Sequence, residues 1–240
     1  MCTVAVALRA HPDAPLIVAA NRDEALDRAA TPPLRWEGFV AGRDEVGGGS
    51  WLGFSDSGLF VGLTNLWIPG FREPRPRSRG GVVTALLSAG SLEAAEQALR
   101  ALPLPEHGPF NVICADRSGR GFVAASAHPL HLEPLAPGVH VVSNQLPGTP
   151  WQKTARVHAD VEAVLSAPAE RLPAALASRL SRVTGGGSPQ ESACVITDHN
   201  YGTVSSTILL AGGAREVLRF ADGRPDRTPF TDYSGLLRRA

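Results

Sequence analysis

Lysine is almost missing from this chain: of 23 basic residues only Lys153 is a lysine, and arginine serves everywhere else. Arginine usage spread along the whole chain reads as compositional bias rather than chemistry. Cysteine is scarce as well. Cys2, Cys114 and Cys194 are too few and too far apart for a disulfide framework, and no CxxC pair is present. An excess of charge of one sign is also absent, with 23 basic and 23 acidic residues. That removes the electrostatic reason to expect nucleic acid or an anionic membrane as a main partner. No apolar run approaches the roughly 18 residues that cross a bilayer. The opening stretch from Met1 to Arg9 has no basic residue ahead of its apolar run, which does not fit a secretory signal. The expectation is a soluble, cytoplasmic protein with reduced thiols and no integral membrane association. There is no P-loop and no GxGxxG after a strand. His128 and His131 lack further ligands at a metal-like spacing, so no metal and no cofactor is expected.

What is present is an ordinary globular composition. The chain has 240 residues, 43% hydrophobic and 19% charged, enough to bury a real core, and it is read as a single domain over 1–240. Short apolar runs separated by turn residues predict hairpins over 3–8 and 16–20, 51–54 and 59–64, and 111–115 and 121–125. Further strands are expected at 140–143, 193–197, 203–211 and 216–220. Helical spacing predicts helices over 81–88, from Ser91 through Leu102, over 151–165 and over 169–180. Ser91 is a helix cap with Ala94, rather than Glu or Gln, at the position a capping box would use. The segment 184–189 reads as a loop. Strands joined by tight turns imply antiparallel sheets whose faces the helices must cover. The fold class is therefore α+β, with two antiparallel sheets packed together and helices outside.

Cys2 is the first residue able to carry chemistry. Methionine is usually removed when the second residue is small. Cys2 would then offer a thiol nucleophile and, in its α-amine with an ordinary pKa of about 7.7 to 8.0, a general base. The alternative is a small hydrophobe that merely packs. The polar run Asn21-Arg22-Asp23-Glu24 directly follows an apolar strand. It is either a surface turn or, if the first two strands pair, a group close to Cys2. In the second case Arg22 would favour thiolate and Asp23 would orient the amine. Asn65 and Asn144 end predicted strands, where asparagine commonly makes a turn but can also donate to an oxyanion. Arg72, Arg75, Arg77 and Arg79 alternate with other residues in one loop, either solvated or forming a rim for a carboxylate-bearing ligand. Cys114 and Cys194 lie in apolar runs and are expected to be inert.

Met1-Cys2 with Ala19-Ala20-Asn21-Arg22-Asp23-Glu24 resembles the NRDE family, which contains the transport and Golgi organisation 2 proteins. Gly48-Gly49-Ser50-Trp51-Leu52-Gly53, Leu63-Thr64-Asn65, Arg79-Gly80, Phe110-Asn111, Ser143-Asn144, Pro150-Trp151 and Tyr201-Gly202-Thr203 continue the match in order. The resemblance extends to N-terminal-nucleophile hydrolases of the choloylglycine hydrolase and penicillin V acylase type. It implies a four-layer αββα sandwich and hydrolysis of a small-molecule, non-peptide amide. Cys2 matches the nucleophile, Arg22 and Asp23 the activating pair, and Asn65 and Asn144 the oxyanion-stabilising amides. Substrate contacts are expected from Asn21, Trp51 and Arg79. The alternative is a haem- or lipid-handling protein that keeps this fold without hydrolysis, its partner a haem-like ligand. One departure stands out: Val204 occupies a place where the family usually has arginine.

Overall fold

The computed structural model describes residues 2–69, 75–126, 129–184 and 191–237. Two antiparallel sheets form its centre. In the first, the order is β10 (Gly138–Val142), β1 (Thr3–Leu8), β2 (Leu16–Glu24), β11 (Gly202–Ala211), β12 (Val217–Ala221) and β13 (Thr231–Asp232). In the second, β3 (Ala30–Trp36), β4 (Phe39–Asp44), β5 (Leu52–Ser55), β6 (Leu59–Asn65), β7 (Phe110–Asp116), β8 (Gly121–Ala125) and β9 (His131–Pro134) follow one another in chain order. Helices α1 (Gly80–Ser88) and α2 (Leu92–Ala101) lie on the second sheet, and α3 (Gln152–Glu162) and α4 (Leu172–Leu180) on the first.

Strand side chains alternate between faces, so each buried strand feeds two cores. Val4, Val6, Leu8, Leu16, Val18 and Ala20 meet Leu52, Phe54 and Phe60 between the sheets. Ala5, Ala7, Ile17 and Ala19 face Val157, Val161, Leu172 and Leu176 of the helical layer. A third core joins Val61, Leu63 and Val112 to Val82, Val83, Leu86 and Leu99. These three apolar interfaces make the four layers. The sheets approach closely at Gly62, where a Cβ would stand only 3.3 Å from Val4 Cγ1.

Ser91 caps α2 as expected, its hydroxyl accepting the Ala94 N–H at 3.1 Å. Two expectations need correction. Residues 193–197 form no strand and contribute only an isolated bridge between Ile196 and Gly202. Strands β3 and β4 lie where none was expected. Pro32 and Pro33 hide the first, because proline cannot donate to a ladder; here it is tolerated on an edge strand whose pairing shifts between Thr31 and Leu34. Most of the segment 184–189, together with Arg72 and His128, lies outside the described residues. Among the described residues no helix is long and apolar enough to cross a membrane, and no group of His, Cys, Asp or Glu side chains could hold a metal ion.

Candidate active site

The β1–β2 hairpin brings the chain start to the NRDE segment. Thr3 pairs with Asn21, and on the other flank of β1 Val4 pairs with Val142, so the start of β1 and the ends of β2 and β10 meet at one edge. Asn65, ending β6, approaches from the second sheet. Between them lies a cavity of about 530 Å³ lined by Cys2, Arg22, Glu24, Arg28, Asp44, Trp51, Asn65 and Arg79, with Arg75 and Arg77 at its wall.

Cys2 is half-buried, and its backbone carbonyl accepts the Ser143 hydroxyl at 2.8 Å. The thiol sits 3.8 Å from the Asp23 carbonyl as donor. Burial pushes this thiol above its ordinary value. The amino-terminal charge pulls it down, Asp23 pushes it up, and the Asp23 backbone and the Arg22 charge lower it. Burial wins, so Cys2 requires a proton acceptor to become a nucleophile at neutral pH.

Arg22 continues the alternation of Val18 and Ala20 and points between the sheets. Its guanidinium carbon lies 4.4 Å from the Trp51 ring centroid, and Nη2 donates to Asp44 Oδ2 at 3.3 Å. Trp51 therefore holds Arg22 by a cation–π contact. Arg28 Nε donates to the same Asp44 oxygen at 2.8 Å. Burial pushes Asp44 up, but the Arg28 hydrogen bond, the Gly47 N–H and the charges of Arg28 and Arg22 outweigh it and hold the carboxyl below its usual range. Arg79, just before α1, donates Nη1 to the Pro109 carbonyl at 3.3 Å. Desolvation lowers its pKa against the pull of Glu24 and Cys2, which marks a cation facing the cavity with little solvent around it. Gly49 and Gly80 permit this wall: a Cβ on Gly49 would fall 2.3 Å from the Gly80 carbonyl carbon.

Asp23 does not bring its carboxylate into this cavity. One residue after Arg22, it faces the helical layer, where Oδ2 accepts from Lys153 Nζ at 3.2 Å and Oδ1 from Thr203 Oγ1 at 2.6 Å. Its carbonyl reaches the site, accepting from Cys2 and, at 2.9 Å, from the Tyr201 hydroxyl. Asn21, expected to touch substrate, also faces the helices. Its amide nitrogen donates to the Leu180 and Ala193 carbonyls at 3.0 and 2.7 Å, and its oxygen accepts from Ser206 at 2.5 Å, leaving no group for a ligand in the cavity. Asn65 lines the cavity. Asn144 does not: its amide nitrogen donates to the Asn65 carbonyl at 2.6 Å, so it stands behind Asn65. Asn111 braces the same loop from β7, donating to the Ser143 and Gln145 carbonyls, both at 2.8 Å. Val204 sits at a bulge where the β2–β11 pairing shifts between Thr203 and Ser205, and it is not part of the cavity wall.

Sequence reasoning missed Lys153, Arg28, Asp44 and Tyr201. Lys153 carried a signal in being the one lysine among 23 basic residues. Arg28 and Asp44 flank the β3–β4 pair, which no local pattern announces, and Tyr201 leads into β11 within the Tyr201-Gly202-Thr203 stretch. Cys114 is fully buried with its thiol pushed well up, and burial raises Cys194, also buried, to about 11.

The family model described as Transport and Golgi organisation 2 matches residues 1–222. The Transport and Golgi organization 2 homolog of Mus musculus is 35% identical over 150 residues, covering 58% of this chain and 53% of the mouse protein. The Homo sapiens homolog is 34% identical with the same coverage. The chain thus spans about half the length of the curated relatives it matches. Among solved structures, an N-acylethanolamine-hydrolyzing acid amidase ortholog from Caenorhabditis elegans superposes with a TM-score of 0.61 at 15% identity, covering 96% of this chain and 100% of that one. Penicillin V acylase from Agrobacterium tumefaciens gives 0.62 at 15%, covering 99% and 88%. A variant of the conjugated bile acid hydrolase of Clostridium perfringens gives 0.60 at 9%, covering 97% and 96%. At these identities the structural likeness is one of fold: two antiparallel sheets with helices outside, as in N-terminal-nucleophile hydrolases.

Proposed function

This chain belongs to the Transport and Golgi organisation 2 family, and from that premise we propose that it is an N-terminal-nucleophile hydrolase cleaving a small-molecule, non-peptide amide. The observation that carries the reading is the convergence of Cys2, Arg22, Asn65 and Arg79 on one cavity. The amide hydrolases that share the fold support the reaction class.

Removal of Met1 exposes the α-amine of Cys2. The thiol attacks the amide carbonyl carbon while its proton passes to that amine, which resolves the raised thiol pKa by making ionisation concerted with attack. The new carbon–sulfur bond places negative charge on the former carbonyl oxygen, and the Asn65 side-chain amide stabilises it. Asn144 holds the Asn65 backbone in place. The carbon–nitrogen bond then breaks, and the leaving amine takes the proton from the α-ammonium. Water, deprotonated by the same amine, attacks the thioester and releases the acid, restoring the thiol. Arg22, held against Trp51, supplies a positive charge near the sulfur. Trp51 acts through Arg22, and Arg79 binds an anionic group of the substrate.

The test is intact mass after incubation with a thiol-reactive acyl probe. A chain beginning at Cys2 gains one acyl group, and Cys2→Ala gains none. A chain that begins at Cys2 and stays unmodified sinks the hydrolase reading. A Soret shift on haem addition to that inert chain would instead support the haem-handling role, whose propionates the same arginines suit.

A further inference from the structure

Five arginines line the cavity around Cys2. Arg75 and Arg77 are exposed at its rim, where Arg77 bonds Glu106. Arg22, Arg28 and Arg79 lie deeper, together with two carboxylates, those of Glu24 and Asp44. Asp44 Oδ2 accepts from Arg28 at 2.8 Å and from Arg22 at 3.3 Å, and Glu24 Oε2 lies 3.9 Å from Arg28 Nε. Both carboxylates are thus engaged by Arg22 and Arg28. Arg79 stands apart. Among the described residues no carboxylate forms an ion pair with it, and its one hydrogen bond runs from Nη1 to the uncharged Pro109 carbonyl at 3.3 Å. A half-buried cation without a counter-ion costs free energy, so stability does not explain it. Its orientation is nevertheless fixed. Pro109 holds Nη1, and a Cβ on Gly108 would lie 3.2 Å from the same atom, so glycine there lets the chain pass close against the guanidinium.

We propose that the substrate is a monoanionic amide whose single carboxylate seats on Arg79. This rests on the hydrolase reading and narrows it, from small amides in general to those with one negative charge near the bond that is cut. While the α-amine is neutral, as a base must be, three guanidiniums and two carboxylates leave one positive charge in the depth of the cavity. One carboxylate cancels it. A neutral amide would leave Arg79 uncompensated. A dianion such as a phosphomonoester would carry surplus negative charge in beside Glu24 and Asp44, and that repulsion adds to the selectivity. The guanidinium edge formed by Nε and Nη2, away from Pro109, makes no hydrogen bond among the described residues. Its two parallel N–H groups match the two oxygens of a carboxylate, which a lysine ammonium cannot do. Cys2 is near enough for its charge to act on Arg79, so a carboxylate seated there lies close to the attacking sulfur.

The experiment needs no substrate. It compares two electrophiles of similar size, iodoacetate and iodoacetamide, on Cys2 at pH 8, read from the mass of the Cys2 peptide. Both react with the thiolate, so a change in thiol pKa cancels in the ratio of their rates, whereas the charge of the reagent does not. In the folded wild type the iodoacetate-to-iodoacetamide ratio should be about tenfold above that of the same cysteine in the urea-unfolded chain. Arg79→Met should return the ratio to the unfolded value, Arg79→Lys should keep part of the preference, and Arg77→Met at the rim should lower it less than Arg79→Met. Arg79→Gln replaces Arg79→Met if that variant does not fold. Propionate should protect Cys2 from iodoacetamide better than succinate does at equal concentration. A wild-type ratio no higher than in the unfolded chain overturns the proposal, whatever the variants do. So does an Arg79→Met ratio as high as wild type, an Arg77→Met ratio that falls as far, or succinate protecting as well as propionate. If the ratio holds but a neutral acyl probe is never captured, the hydrolase reading fails while the carboxylate site at Arg79 stands.

Discussion

The side-chain amide of Asn144 donates to the backbone carbonyl of Asn65 at 2.6 Å, tying the end of β10 to the end of β6 across the two sheets. The Asn144 carbonyl in turn accepts the Trp67 N–H at 2.7 Å. The two asparagines are thus partners in series rather than a matched pair facing the cavity.

Their substitutions should separate accordingly. Asn65→Ala is expected to lower turnover on the order of 100-fold with little change in melting temperature. Asn144→Ala should lose about 1–2 kcal/mol of stability as well as activity, since the Asn65 carbonyl is left without its donor. Thermal melts beside acyl-probe capture rates check both. An Asn144→Ala chain as stable as wild type but inert would move the oxyanion role to Asn144.

Arg22 lowers the Cys2 thiol pKa while burial raises it more. Alkylation of Cys2 should therefore keep rising through pH 9, and Arg22→Ala should shift the midpoint still higher, slowing the reaction at pH 7 to 8. Cys114 and Cys194, both raised by burial, serve as slow internal controls. An Arg22→Ala profile unmoved from wild type would show that this guanidinium does not act on the sulfur.

Asp44 is held below its ordinary range by Arg28, Gly47 and Arg22 despite its burial. A carboxyl with a depressed folded pKa contributes stability above its unfolded pKa of about 3.9 and loses it as pH falls through the folded value. The stability difference between wild type and Asp44→Asn, measured by denaturant titration, should be flat above about pH 5 and shrink below pH 4. A difference independent of pH down to pH 2 would rule out the ion pair as its source.

Asn21→Ala removes an amide with three buried partners and strands the Leu180 and Ala193 carbonyls. Roughly 2–4 kcal/mol of stability should be lost, while Cys2 alkylation per folded molecule stays unchanged. Slower alkylation in the folded fraction would return Asn21 to the site.

Much of this was legible before the structure. The hairpins were, because Thr3–Leu8 and Leu16–Ala20 alternate over both faces with a turn between them. The meeting of Cys2 with Arg22 followed from that pairing. That the carboxylate of Asp23 meets Lys153 and Thr203 is not legible from its place beside Arg22, because neighbours on a strand point apart. Asn144 and Asn65 gave no sign of their order, since it depends on how two sheets stack. Arg28 and Asp44 stayed hidden because β3 carries two prolines and is stabilised by its neighbour β4 rather than by its own preference. Lys153 is visible in the sequence as the one lysine, where it reads as composition. Only its counter-ion, 130 residues earlier in the chain, gives it meaning.

The alternation along β2 ties chemistry to burial in one further way. Arg22 and Asp23 occupy opposite faces of the strand that sorts Leu16, Val18 and Ala20 from Ile17 and Ala19. A slip of one residue would exchange the guanidinium and the carboxylate and, in the same movement, turn both apolar rows toward the wrong layers. Apolar packing therefore proofreads the polar constellation: the sandwich cannot close with the two charges transposed. Sequence drift in the surrounding loops can reshape the cavity, but an insertion that shifts the register of β2 sets both apolar rows and both charges against the wrong layers.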